Sequence, residues 1–227
     1  MCGRFTQTRT WPELVELYRL ADSFDPSQRQ PRYNIAPTQD IPVLRLRADS
    51  EERELAVVRW GLIPSWAKDM KMGARLINAR AETVHEKPSF RRAFRQRRCL
   101  IAADGFYEWQ KQPSGPKQPY FITVAGNRPF AFAGLWETWS PPRGPVIQSC
   151  TIITTEANDD LRPIHNRMPV ILTPDVFDRW LDPSLSPDDA RALLRPFDGD
   201  MSAYPVGLRV NNVLNDDPAC VERQDRL

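Results

Sequence analysis

The sequence predicts one α+β domain spanning residues 1–227, built on a curved, mostly antiparallel, barrel-like β-sheet with helices inserted between its strands. Three observations predict it. Many short segments alternate apolar and polar residues or run β-rich, and turn residues separate them. A few segments with helix caps interrupt that series. Proline is frequent, 22 of 227 residues, and spread along the whole chain, which favours short elements joined by fixed turns.

The elements follow in order. TRTWPELVELYRLA reads as a helix: Thr10 caps it, Glu13 completes a capping box, Pro12 fits the first turn, and Leu14, Leu17 and Tyr18 form the apolar stripe. IPVLRLR (41–47) and RELAVVRW (53–60) read as a hairpin closed by the acidic ADSEE. GLIPSWAKDMKMGA reads as a loop, and residues 78–98 as partly helical with a break at Pro88. RCLIAADGFYEW, YFITVA, FAFAGLWETW and VIQSCTIITT read as strands, with QPSGPKQP as a turn. EANDDLRPIH reads as a helix that ends at Pro163, and MPVIL as a short strand. TPDVFDRWL and SPDDARALLRPF read as helices capped by Thr173 and Ser186, each with proline at the first helical position. The tail reads as a short strand and irregular chain. Neither a repeat nor a long linker divides the chain.

The net charge is +2, too small an excess to define a nucleic-acid partner by itself. No apolar run is long enough for a transmembrane helix, and MCGRFTQTRT has no apolar leader core. The expected location is therefore the cytoplasm. Cys2, Cys99, Cys150 and Cys220 are far apart and form no C-x-x-C, which in a reducing compartment favours free thiols. With two histidines, His85 and His165, and no ligand cluster, neither a metal nor a cofactor is expected.

Several residues are candidates for chemistry. Removal of the initiator methionine would leave Cys2 with a free α-amine beside its thiol. The amine titrates near ~8 and the thiol near ~8.5, so both are partly nucleophilic at neutral pH. Together they can close a five-membered thiazolidine on an aldehyde, which an internal cysteine cannot do; alone, Cys2 also reads as merely the second residue. His165, between a proline-ended segment and a short strand, can shuttle protons or sit as a structural histidine. His85, among charged residues, reads as solvated. Glu108 lies in GFYEW, where aromatic surroundings would raise a carboxyl pKa and suit acid–base work; a strand residue paired with arginine is the alternative. Asn78 reads as a cap or as a group that orients a thiol. Trp60 and Trp66 are either core or stacking platforms for bases. Five arginines within residues 91–98 read as a phosphate patch or as a solvated helix face.

Six motifs in order, MCGRF, RYNIAP, WGLIPSW, INARAET, ADGFYEW and IHNRMPVIL, resemble the SOS-response-associated peptidase family, understood as abasic-site processing, DNA–protein crosslinking proteins. The resemblance is strongest over residues 2–172. It implies a single domain with a cleft for single-stranded DNA that carries abasic sites, and a monomer. It implies that Cys2, once Met1 is gone, captures the sugar aldehyde as a thiazolidine. Asn78 would hold Cys2, Glu108 would serve as acid and base, and His165 would move protons and support reversal or strand cleavage by β-elimination. The implied DNA-binding residues are Arg4, Asn34, Pro37, Trp66, Arg80, Thr154 and Arg167, with Trp66 and Pro37 as wedges. Some members carry two successive tryptophans where this chain has Trp66 and Ala67. Two other readings remain open at this point: a peptidase with Cys2 as nucleophile, and a module that binds single strands without covalent chemistry.

Overall fold

The computed structural model describes residues 2–20, 30–47, 52–124, 126 and 130–224. The N-terminal strand β1 (Phe5–Gln7) leads into helix α1 (Trp11–Tyr18), where the Thr10 N–H donates to Glu13 Oε2 at 2.7 Å. Strands β2 (Arg32–Ile35), β3 (Asp40–Leu46) and β4 (Arg53–Trp60) follow, then β5 (Asn78–Arg80) and helix α2 (Arg91–Gln96). β6 (Arg98–Ala103), β7 (Gly105–Gln110), β8 (Gln118–Val124), β9 (Phe130–Trp139) and β10 (Ile147–Glu156) make up the centre of the chain. β11 (Arg167–Pro169), β12 (Ile171–Leu172), α3 (Phe177–Leu181), α4 (Pro187–Ala192) and β13 (Met201–Pro205) complete it.

Five strands close a barrel in the order β10–β4–β3–β6–β9 and back to β10. Every pairing in it is antiparallel except β10 with β4. The expected hairpin is its β3–β4 arm, in register from Asp40 opposite Arg59 to Leu46 opposite Arg53; most of its ADSEE turn, residues 48–51, lies outside the described residues. A second, antiparallel sheet runs β13–β8–β7–β1–β2. The alternation of β6 explains how the layers share one strand. Cys99, Ile101 and Ala103 join the cluster containing Phe5, Trp60, Phe106 and Phe132, while Leu100 and Ala102 join the one containing Leu14, Tyr18, Phe94 and Trp180. Both faces are buried because a sheet covered on each side needs apolar residues at every position.

Several expectations change. RCLIAADGFYEW is two strands, not one. The chain leaves the barrel at Asp104 and enters the second sheet, and the Asp104 carboxylate fastens that corner by accepting from the Thr8 main-chain N–H and hydroxyl and pairing with Arg9. EANDDLRPIH is not helical. Its hydrogen bonds form isolated turns, Arg162 N to Asn158 O and His165 N to Leu161 O, and Asn158 Oδ1 takes the Leu161 N–H. Proline 163 supplies no N–H with which to extend them. The loop 61–74 includes most of a 3₁₀ helix, Met70–Arg75. Gly73 is required there: a Cβ would lie 2.5 Å from the Gly61 carbonyl oxygen. His85 is half-buried beside Glu86 rather than solvated. Within the basic run, Arg98 is buried and donates to the carbonyls of Phe94, Trp180 and Asp182, and Arg97 pairs with Glu137; both are structural. Arg91, Arg92 and Arg95 stay exposed.

Candidate active site

The N-terminus is held at the junction of the two sheets by Phe5. Its ring meets Trp60 edge-on at 5.2 Å and Phe132 at 5.7 Å, inside the barrel cluster. Phe5 pairs with Phe106 across β1 and β7, and Tyr107 N donates to Arg4 O at 3.0 Å, so the residues before Phe5 run antiparallel to Glu108. Cys2 is thereby fully buried. On the other side β5 lies parallel to β10, with Asn78 opposite Ile152. Asn78 Nδ2 donates to Cys2 O at 2.9 Å. Its Oδ1 is buried and accepts no hydrogen bond among the described residues, a costly state for an amide oxygen.

Glu108 is also buried. Burial disfavours its charge and lifts its pKa to about 7. Burial also pushes the Cys2 thiol well above its usual range, and the nearby Glu108 charge adds to this. His165 stands at the end of the 158–165 turns with Nε2 3.9 Å from Glu108 Oε2. Nδ1 lies 3.0 Å from the Arg167 main-chain N and 3.2 Å from its carbonyl oxygen, so the Arg167 backbone holds the ring with Nε2 facing the carboxyl. Partial burial is the main cause that lowers the His165 pKa. Near neutral pH the pair is thus a half-protonated acid beside a largely neutral imidazole, opposed tendencies set by one shared desolvation.

Alongside is an open cleft of about 670 Å³ lined by Arg80, Glu156, Ala157, Arg162, His165, Asn166 and Arg167. Arg80 is exposed and forms no side-chain ion pair or hydrogen bond among the described residues. Arg167 is paired with Glu82, and its Nη2 donates to Thr154 O at 2.7 Å, above a Thr154 that is fully buried. Arg4 donates to Asn34 Oδ1 at 2.7 Å and lies over the Trp109 ring. Asn34, expected to touch DNA, is instead fully buried: its Nδ2 is shared among the carbonyls of Val210, Asn212 and Asn215. It positions Arg4 and the C-terminal segment. Trp60 is core, whereas Trp66 is exposed, with only a long contact from Nε1 to Pro88 O at 3.5 Å. Pro37 is half-buried, and the following Thr38, at a φ of 70°, ties its turn to Trp60 O at 2.8 Å.

The fold therefore brings Cys2, Asn78, Glu108 and His165 together from four distant segments. The sequence reading missed Glu82, Arg162 and Gln110. Gln110 donates to Pro163 O at 2.9 Å and holds the turn that presents His165; its place two residues after Glu108 on one strand face was the available signal. Among the described residues no group of three or more His, Cys, Asp or Glu is arranged to hold a metal, and no helix is long and apolar enough to cross a membrane.

The profile of the family described as "SOS response associated peptidase (SRAP)" matches residues 1–213. The chain is similar to "Abasic site processing protein YoaM" of Bacillus subtilis, 44% identical with all of both chains covered. It is also similar to "Abasic site processing protein HMCES" of Xenopus tropicalis, 37% identical over 94% of this chain and 70% of that one. A crystal structure of a protein from Bacteroides thetaiotaomicron superposes with a TM-score of 0.87 at 30% identity, covering 98% of this chain and all of that one.

Proposed function

Since this chain belongs to the SOS response associated peptidase family, we propose that it processes abasic sites in single-stranded DNA by bonding covalently to them through Cys2. One observation carries the reading: a buried N-terminal cysteine, a buried amide, a carboxyl of raised pKa and a histidine meet beside an arginine-rimmed cleft.

The chemistry starts after hydrolysis of the Met1–Cys2 bond, by a cellular aminopeptidase or by the protein itself. The Cys2 amine attacks the aldehyde carbon of the ring-opened sugar. Glu108 in its acid form protonates the departing oxygen, and an imine forms with loss of one water. The thiol sulfur then bonds to the same carbon, the C=N electron pair becomes a lone pair on nitrogen, and the thiol proton ends on that nitrogen. The sum is aldehyde plus aminothiol giving thiazolidine plus water. With Met1 attached, burial keeps the thiol in its neutral form, and in this order the thiol waits while the freed amine reacts. The neutral form speaks against a peptidase that needs a standing thiolate. Asn78 Oδ1, a buried acceptor on the amide that holds Cys2 O, takes a hydrogen from the freed amine in this reading. His165 moves protons in the same steps and supports reversal or β-elimination.

Arg80, Arg4 and Arg167 hold phosphates, Trp66 and Pro37 unstack the strand, and Thr154, fully buried and outside the cleft lining, serves only to support Arg167 through its main-chain oxygen. The protein acts as a cytoplasmic monomer that joins the nucleoid when it holds DNA. A denaturing gel tests the reading. A strand with one abasic site should give an adduct that survives heat, and no such adduct should form with Cys2→Ala; a heat-stable adduct of Cys2→Ala, or none with the unaltered protein, overturns it.

A further inference from the structure

Arg167, assigned above to a DNA phosphate, already holds an anion in the free protein. Nη1 donates to Glu82 Oε1 at 2.6 Å and Nη2 to Glu82 Oε2 at 3.0 Å. This two-pronged grip is the one a guanidinium also uses on phosphate. The arginine side chain is 14% exposed and the carboxylate 45% exposed. Nη2 is fixed from beneath by Thr154 O, so Arg167 stays in place whichever anion it holds, and Glu82 is the partner free to leave toward solvent.

We propose that Glu82 is an electrostatic gate on the DNA cleft: it occupies Arg167 as a phosphate mimic, and a strand enters by putting a phosphate in its place. The inference rests on the DNA reading and concerns how the strand is admitted. Every strand, damaged or not, must displace the same carboxylate. Undamaged DNA has only non-covalent contacts, phosphate pairing and base stacking, with which to offset that displacement, whereas an abasic sugar adds its bond to Cys2. Glu82 thus biases the protein against undamaged strands. It also keeps the cleft ordered while empty, because the Arg167 it holds supplies the main-chain N–H that orients His165.

Glu156 provides the control. It lines the same cleft, is exposed and stands opposite Arg167 across β10 and β11, but forms no side-chain hydrogen bond or ion pair with it among the described residues. Glu156→Gln therefore removes one negative charge from the DNA path without opening the gate. The experiment is equilibrium binding of an undamaged fluorescent oligonucleotide at fixed salt to the unaltered protein, Glu82→Gln, Glu156→Gln, Arg167→Ala and the Glu82→Gln/Arg167→Ala double variant. Glu82→Gln should bind about three- to tenfold tighter than the unaltered protein, and clearly tighter than Glu156→Gln. In the Arg167→Ala background the extra gain should vanish, since a double-mutant cycle isolates the pair. Glu82→Asp, which keeps the charge but shortens the reach, should give a smaller gain, and it is the variant scored if Glu82→Gln does not fold. The gate is overturned if Glu82→Gln gains no more than Glu156→Gln, if it binds more weakly, or if its gain persists without Arg167. A protein that forms adducts but fails these comparisons loses the gate alone; one that binds no strand and forms no adduct loses the DNA reading and the gate with it.

Discussion

Asn78 Nδ2 donates to the Cys2 main-chain oxygen at 2.9 Å, a contact across 76 residues of sequence that ties β5 to the N-terminal segment. With Oδ1 buried beside it, the same amide can hold the chain and receive the freed amine. Asn78→Ala should slow adduct formation about tenfold, the worth of one hydrogen bond of this kind, while affinity for an undamaged strand stays within about twofold. Single-turnover kinetics and anisotropy read the two separately, and equal losses in both would mean that Asn78 is a structural residue only.

Glu108 gives a pH prediction. Its carboxyl has a folded pKa of about 7 against a usual 4.5. The folded protein therefore holds a proton that the unfolded chain releases, and stability falls as pH rises through that interval. Glu108→Gln should match the unaltered protein near pH 4 and exceed it by roughly 3 kcal/mol at pH 8, on the scale of 1.36 kcal/mol per pKa unit. Urea unfolding at both pH values measures this. In the same variant adduct formation should slow about a hundredfold or more, the usual worth of a positioned acid, and lose its inflection near pH 7. A slower rate that keeps the inflection would assign that titration to another group.

Trp66 is 56% exposed, and its hydrogen bond from Nε1 to Pro88 O is long, at 3.5 Å, so little of the fold depends on its ring. Trp66→Ala should leave stability within about 0.5 kcal/mol and weaken single-strand binding by about 1–3 kcal/mol, the value of one stacked base. Unchanged binding would remove it from the DNA path.

Arg98 behaves oppositely to its neighbours in sequence. Buried and bonded to the carbonyls of Phe94, Trp180 and Asp182, it should cost about 3 kcal/mol when replaced by alanine, because those acceptors lose their donor. Arg91→Ala, exposed on the preceding short helix α2, should cost almost nothing. Thermal melts of the two variants separate a structural arginine from a solvated one.

Much of this was legible in the sequence, for physical reasons. The β3–β4 hairpin and the Thr10–Glu13 cap depend on neighbours in the chain, so their pattern is local. The Glu108 environment was only partly readable, because Tyr107 and Trp109 of GFYEW lie on the other face of β7 with Phe121 and Val206, and only Phe106 shares the Glu108 face. The break at Asp104 was not readable, since it depends on Thr8 and Arg9, nearly a hundred residues away. Asn34 was assigned to DNA by the family resemblance alone, yet it lies in β2 and the C-terminal segment covers it. The split of residues 91–98 into exposed and buried arginines depends on α3, which approaches only in the folded state. The pairing of Glu82 with Arg167 joins two motifs that each look complete alone.

The central claim is that the amine and the thiol of Cys2 bond to one carbon. Intact mass spectrometry of the protein after incubation with an abasic oligonucleotide tests it most directly. The account predicts loss of Met1 and a gain equal to the oligonucleotide minus one water, stable to heat and dependent on Cys2. A protein that retains Met1 and still forms the adduct, or a heat-stable adduct of the same mass in Cys2→Ala, would contradict it.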